Sequence, residues 1–152
     1  MIYYIIYTST PSSPVDFETV NAITKEAIKW NKAHDVTGML LSLDDKYFQF
    51  LEGEEEEVKK LFNMIKKDSR HKDVTLRIQG FSNERVFTEW SMGSWMLTNE
   101  ELTKLSALAD LKEFLQDPVN NNLQSKRFIS MMSNLLNTWI AHEPERSKKF
   151  KN

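Results

Sequence analysis

Apolar side chains fill both faces of the chain's first segment. Ile2, Tyr4 and Ile6 lie on one side of an extended strand and Tyr3, Ile5 and Tyr7 on the other. A β-branched and aromatic run of this kind predicts a strand over Ile2–Thr8, inside a sheet covered on both faces. Thr10-Pro11-Ser12-Ser13-Pro14 reads as a loop. The period then lengthens. Val20, Ile23, Ala27 and Ile28 recur at helical spacing behind a capping Asp16, which predicts a helix to about Trp30 or Asn31, with Thr24 and Asn31 beside its buried stripe. Asp35–Leu43 and Tyr47–Glu52 read as strands joined by the short turn Asp44-Asp45-Lys46. Gly53 and Glu54–Glu57 open a second helix, where acidic side chains suit the positive end of the helix dipole. Val58, Leu61, Phe62 and Ile65 form its core face, and Asp68-Ser69-Arg70-His71 ends it. Val74–Gln79 and Phe87–Trp95 are two further strands.

The order β-α-β-β-α-β-β predicts an α+β, ferredoxin-like sheet with both helices on one face. Phe48 and Phe50 make the other face apolar as well, so it needs a cover. Two helices after Thr98, the first to Leu115 and the second over Leu123–Ala141, are expected to supply it. The chain therefore divides into a main domain over 1–97, a helical appendage over 98–142 packed on the sheet, and a tail over 143–152.

Composition narrows the chemistry. The 152 residues contain no cysteine, which excludes disulfides, thiolate metal sites, nucleophilic cysteine and cysteine–flavin adducts. The three histidines, His34, His71 and His142, have no zinc-binding spacing. Glu54–Glu57 reads as a solvated helix start, with Glu55–Lys59 and Glu56–Lys60 at ion-pair spacing, and not as a metal site. A net charge of −2 offers no general attraction to nucleic acid or an anionic membrane. No apolar run is long enough to span a bilayer, and the N-terminus lacks a basic leader, so a cytoplasmic protein is expected.

A few polar groups stand out against the apolar pattern. Gln49 interrupts Tyr47-Phe48-Gln49-Phe50-Leu51, and a buried carboxamide needs partners for both its oxygen and its NH₂. Either it holds an edge position or is a water-bonded core amide, or it relays hydrogen bonds between a phenol and a ligand. Tyr7 ends the first strand, Asn31 lies near the end of the first helix, and Trp90 and Met92 are two apart, as on one strand face. Taken singly, each fits ordinary packing or capping.

Together they resemble the BLUF family, sensors of blue light using FAD. The resemblance rests on Ile6-Tyr7-Thr8-Ser9, Val36-Thr37-Gly38-Met39-Leu40-Leu41, Phe48-Gln49-Phe50-Leu51-Glu52-Gly53, Asp68-Ser69-Arg70-His71 and Glu89-Trp90-Ser91-Met92-Gly93, in that order, over about residues 1–97. It implies a non-enzymatic photoreceptor that binds FAD without a covalent bond. Tyr7 would donate an electron and a proton to the excited flavin, and Gln49 would bridge the two and rearrange. Asn31 would hold the flavin's pyrimidine edge, and Ile23 would pack against its ring. Asp68, Arg70 and His71 would lie near the outer pocket and ribityl chain, and Trp90 and Met92 would relay the signal. The resemblance to short members implies a homo-oligomer, a dimer or larger ring, and an unidentified downstream signalling protein.

Three positions depart from the family. Trp30 stands where many members have asparagine or histidine, Tyr47 replaces a usual phenylalanine, and Met64 replaces a basic residue, which leaves one cofactor contact in question. Two other readings compete with this one. An acylphosphatase-like hydrolase would want an arginine in the loop Ser9–Val15, which has none. A light-silent binding module would keep the scaffold alone. No GxGxxG occurs, so a dinucleotide would not be held in Rossmann fashion, and weakly gripped phosphates are expected.

Overall fold

A computed structural model describes residues 1–43, 45–89, 91–98, 100, 130, 133, 134, 137 and 141. Its elements run β1 (Ile2–Pro11), α1 (Phe17–Ala33), β2 (Thr37–Leu43), β3 (Lys46–Gly53), α2 (Glu55–Lys66), β4 (His71–Ser82) and β5 (Gly93–Met96). They form a five-stranded sheet of order β4-β1-β3-β2-β5. β1 lies antiparallel between β3 and β4, β2 is antiparallel to β3, and β5 is parallel to β2. This is the predicted α+β, ferredoxin-like arrangement with one added edge strand.

Both helices pack on the same sheet face. Val20 and Ile23 of α1 and Val58 and Leu61 of α2 share one cluster with Tyr3, Ile5, Tyr7, Leu40, Tyr47 and Leu51. Asp16 caps α1 by accepting from the Thr19 N–H at 2.7 Å. At the other end the Asn31 carbonyl accepts from both His34 N and Val36 N, and Asp35 follows in the left-handed region at φ 51°. The helix therefore runs past the expected stop at Trp30 or Asn31, and Asn31 is an interior residue, not a cap. Glu54 caps α2 through the Glu57 N–H.

The opposite face is buried too. Ile6, Phe48 and Phe50 have no exposed surface, and Phe50 stacks on Tyr4 and tilts against Phe87 at 5.8 and 5.5 Å. Described positions 100, 130, 133, 134, 137 and 141 are helical. How the appendage expected over 98–142 packs lies outside the described residues, as does the tail over 143–152.

One expected strand is corrected. Phe87–Trp95 was expected to be extended throughout, but the ladder begins only at Gly93. The Val86 and Phe87 amides donate instead to the carboxylate of Glu52, at 2.9 and 2.6 Å, so they have no part in strand pairing. Met92 thus precedes β5, and Trp90 lies outside the described residues.

Candidate functional site

A cleft of about 230 Å³ lies between the two helices, with the sheet as its floor. One wall is Ile23, Glu26, Ala27, Trp30 and Asn31, one side of α1 at helical spacing. The other wall is Leu61, Met64, Ile65 and Asp68, the matching side of α2 and the turn after it. Gln49 forms the floor, and Arg70 and His71 close one end.

Tyr7 and Gln49 are direct cross-strand partners in the β1–β3 ladder, so both side chains rise from the helix-bearing face. The Tyr7 hydroxyl donates to Gln49 Oε1. The other end of the carboxamide, Nε2, points to Met92 Sδ at 3.4 Å. Gln49 therefore connects the phenol to the segment leading into β5. Burial, and secondarily the negative charge of Asp68, push the Tyr7 pKa well above that of an ordinary phenol. A phenolate is thus strongly disfavoured at this position, and Tyr7 stays a hydrogen-bond donor.

Asn31 is fully buried. Its Nδ2 donates to the Ser91 carbonyl at 2.8 Å, while its Oδ1 has no hydrogen-bond partner among the described residues. A buried acceptor left unpaired beside a cleft is an unmet requirement that a ligand N–H could satisfy. Ile23 lies in the same wall, nearly buried.

At the closed end, Arg70 binds both oxygens of Asp68 and reaches Glu26 across the cleft at 2.7 Å. These bonds hold the Asp68 carboxyl below the usual range. His71 Nδ1 lies 3.0 Å from Ser9 Oγ, and burial lowers its pKa. The Tyr47 ring meets His71 edge-on at 5.2 Å and is buried outside the cleft lining, in a packing role. Trp30 lines the cleft and stacks on His34 with ring centroids 3.7 Å apart. Met64 is a half-exposed rim residue.

The fold thus gathers Gln49, Asn31, Ile23, Asp68, Arg70 and His71 around one cleft, with Tyr7 and Met92 bonded to Gln49 behind its lining. Two contributors were missed in the sequence: Glu26, which bonds Arg70, and the backbone carbonyl of Ser91. Glu26 could have been found, because it falls three residues after Ile23 on the same helix side. A backbone acceptor carries no sequence signal.

Flavin chemistry suits this donor set. A flavin's pyrimidine edge presents one N–H donor between two carbonyl acceptors, matching the free Asn31 acceptor and the Gln49 amide. The volume is below the roughly 300–1,000 Å³ of sites that enclose a whole drug-sized ligand. It suits a ring system with the remainder of a larger molecule outside.

The family model described as BLUF, sensors of blue-light using FAD, matches residues 2–93. Photoactivated adenylate cyclase subunit beta of Euglena gracilis is 32% identical over 108 residues, 70% of this chain and 12% of that protein. The chain thus spans only a small part of that relative's length. A bacterial light-regulated adenylyl cyclase has 30% identity and a TM-score of 0.68, over 88% of this chain and 40% of that one. The photo-activated state of BlsA has 26% identity and a TM-score of 0.70, over 88% and 95% of the two chains.

Proposed function

The chain belongs to the BLUF family of blue-light flavin sensors, and on that footing we propose that it binds FAD in the cleft between α1 and α2 and switches through Tyr7 and Gln49. The observation that carries this reading is the continuous contact Tyr7–Gln49–Met92 beside the unpartnered Asn31 acceptor.

In the proposal, Asn31 Oδ1 takes the ligand's imide N–H and Ile23 packs on the ring. Asp68, Arg70 and His71 line one end of the cleft and would lie near the ribityl chain. A bound flavin supplies absorption of blue light and, once excited, an acceptor for one electron. Tyr7 gives up that electron. Oxidation makes the phenol strongly acidic, and its proton has a ready path because the hydroxyl already donates to Gln49 Oε1. When electron and proton return, the carboxamide settles in a rearranged form, with its oxygen and NH₂ presented differently. Reversal turns Nε2 away from Met92, so the change at the ligand reaches the segment before β5.

The output is proposed to act in trans, through a partner protein or a changed homo-oligomer, from a cytoplasmic protein with no role in nucleic-acid or membrane binding. No described helix is long and apolar enough to cross a membrane. Residues 1–97 would be the flavin-binding unit and 98–142 the helical cover of the sheet's other face.

The test is spectroscopic. Purified protein should be yellow, release FAD on denaturation, shift its absorption several nanometres to the red under blue light, and recover in darkness. Gln49→Ala should bind flavin without that shift. A colourless protein that cannot be reconstituted with FAD would refute the reading.

A further inference from the structure

Glu52 is 1% exposed and lies on β3, three residues after Gln49 and on the opposite sheet face. Its carboxylate bridges three parts of the fold. Oε1 accepts from the Phe87 N–H at 2.6 Å and from Thr37 Oγ1, at the start of β2, at 3.1 Å. Oε2 accepts from the Val86 N–H at 2.9 Å. Arg85 extends the knot, donating to Thr37 Oγ1 at 3.0 Å and to the carbonyl and carboxylate of Asp35 at 2.8 and 2.9 Å.

The connection from β4 to β5 crosses from one edge of the sheet to the other. It is held at residues 85–87 by Glu52 and again from Gly93 by the ladder to β2. Between these points lie Ser91 and Met92, bonded to Asn31 and Gln49. A segment held at one end passes a displacement applied near its other end in that direction. We propose that Glu52 is a positioning residue that fixes the upstream end of this segment, so that a change at Met92 is delivered to β5. The inference rests on Gln49 and Met92 being the switch. Burial works against charge on Glu52 and raises its pKa, while the bonds to Phe87, Val86 and Thr37 and the nearby Arg85 oppose that shift. The hydrogen-bond pattern is the one a carboxylate makes, since all three groups donate to it.

Glu52→Gln replaces one acceptor oxygen with an NH₂ that cannot accept from a backbone amide. Arg85→Lys loosens the same knot from its less buried side, and serves where the first variant does not fold. Hydrogen exchange of full-length, flavin-loaded protein, in darkness and under blue light, reads the outcome. In the parent the light-induced change should be confined to residues 91–96. In the variants it should spread to 85–87 and diminish over 93–96, with dark recovery altered by about threefold or more. Unchanged light-minus-dark patterns in both variants would overturn the inference. So would an equal rise at 85–87 in darkness and light with no loss at 93–96, which indicates a structural role alone. A parent with no light response removes the switch reading and this inference together, whereas a responsive parent with indifferent variants removes only this one.

Discussion

Gln49 Nε2 lies 3.4 Å from Met92 Sδ, and that contact joins the floor of the cleft to the segment entering β5. A thioether is a weak acceptor, so this end of the amide adds little free energy to the orientation that the Tyr7 hydroxyl fixes at the other end. Turning the carboxamide would set an oxygen against sulfur and remove the contact. Met92 therefore biases the two arrangements without locking either.

Met92→Leu keeps nearly the same volume and removes the acceptor. Packing loss should stay below about 1.5 kcal/mol. Flavin binding and the red shift should persist, while the dark-recovery rate changes, because the two amide orientations no longer differ by the Sδ contact. Absorbance recovery after a blue-light pulse measures this; a rate equal to that of the parent would remove Met92 from the switch.

Tyr7→Phe deletes the donor to Gln49 Oε1 in a fully buried setting. The orphaned carboxamide oxygen should cost about 1–3 kcal/mol of stability, read as a lower midpoint in urea. The protein should still bind flavin, and the normal light-induced red shift should vanish. If Tyr7→Phe cycles normally, the electron comes from elsewhere, and Trp30 in the cleft wall becomes the candidate donor.

The acid side of the stability curve should have two phases. Burial lowers the His71 pKa from its ordinary 6.5, so the unfolded chain binds the proton more readily. Stability from neutral His71 is complete above pH 6.5 and is lost as pH falls through the lower folded value. Asp68, held below its ordinary 3.8 by Arg70, contributes stability that is present above that pH and lost further into acid. Thermal melts between pH 3 and 8 should therefore fall first below about 6.5, and His71→Gln should flatten that upper phase while keeping the lower one.

How much of this was legible in the sequence depends on the kind of contact. The continuous apolar run Tyr47–Leu51 made Gln49 stand out among its neighbours, and helical spacing set Asn31 beside the buried stripe of α1, because both signals are local. That Tyr7 opposes Gln49 depends on the β1–β3 register, which couples residues 42 positions apart and is set by the whole sheet. The resemblance to a known family supplied that pairing. The length of β5 was misjudged because Phe87 is as apolar as a strand residue, yet its amide is taken by a carboxylate 35 positions earlier. Glu52 looked like the end of a strand, since its partners are mainly backbone groups.

The site's geometry should be as sensitive to the β2–β3 spacing as to its own side chains. Gly38 pairs with Leu51, and a Cβ at position 38 would lie 2.1 Å from the carbonyl oxygen of Phe50, the residue after Gln49. That obstacle is backbone, which yields only if the two strands separate. Gly38→Ala should therefore destabilise the fold at or beyond the top of the roughly 1–3 kcal/mol usual for overpacking, and shift Gln49 relative to Tyr7. Gly80→Ala is the control. There the added carbon would meet Tyr4 Oη at 2.8 Å, a side-chain atom far from the β2–β3 pair and not backbone. Denaturation midpoints, measured side by side, should fall more for the first variant, and flavin occupancy should fall for the first and hold for the second. Equal losses would mean that strand spacing does not govern the site.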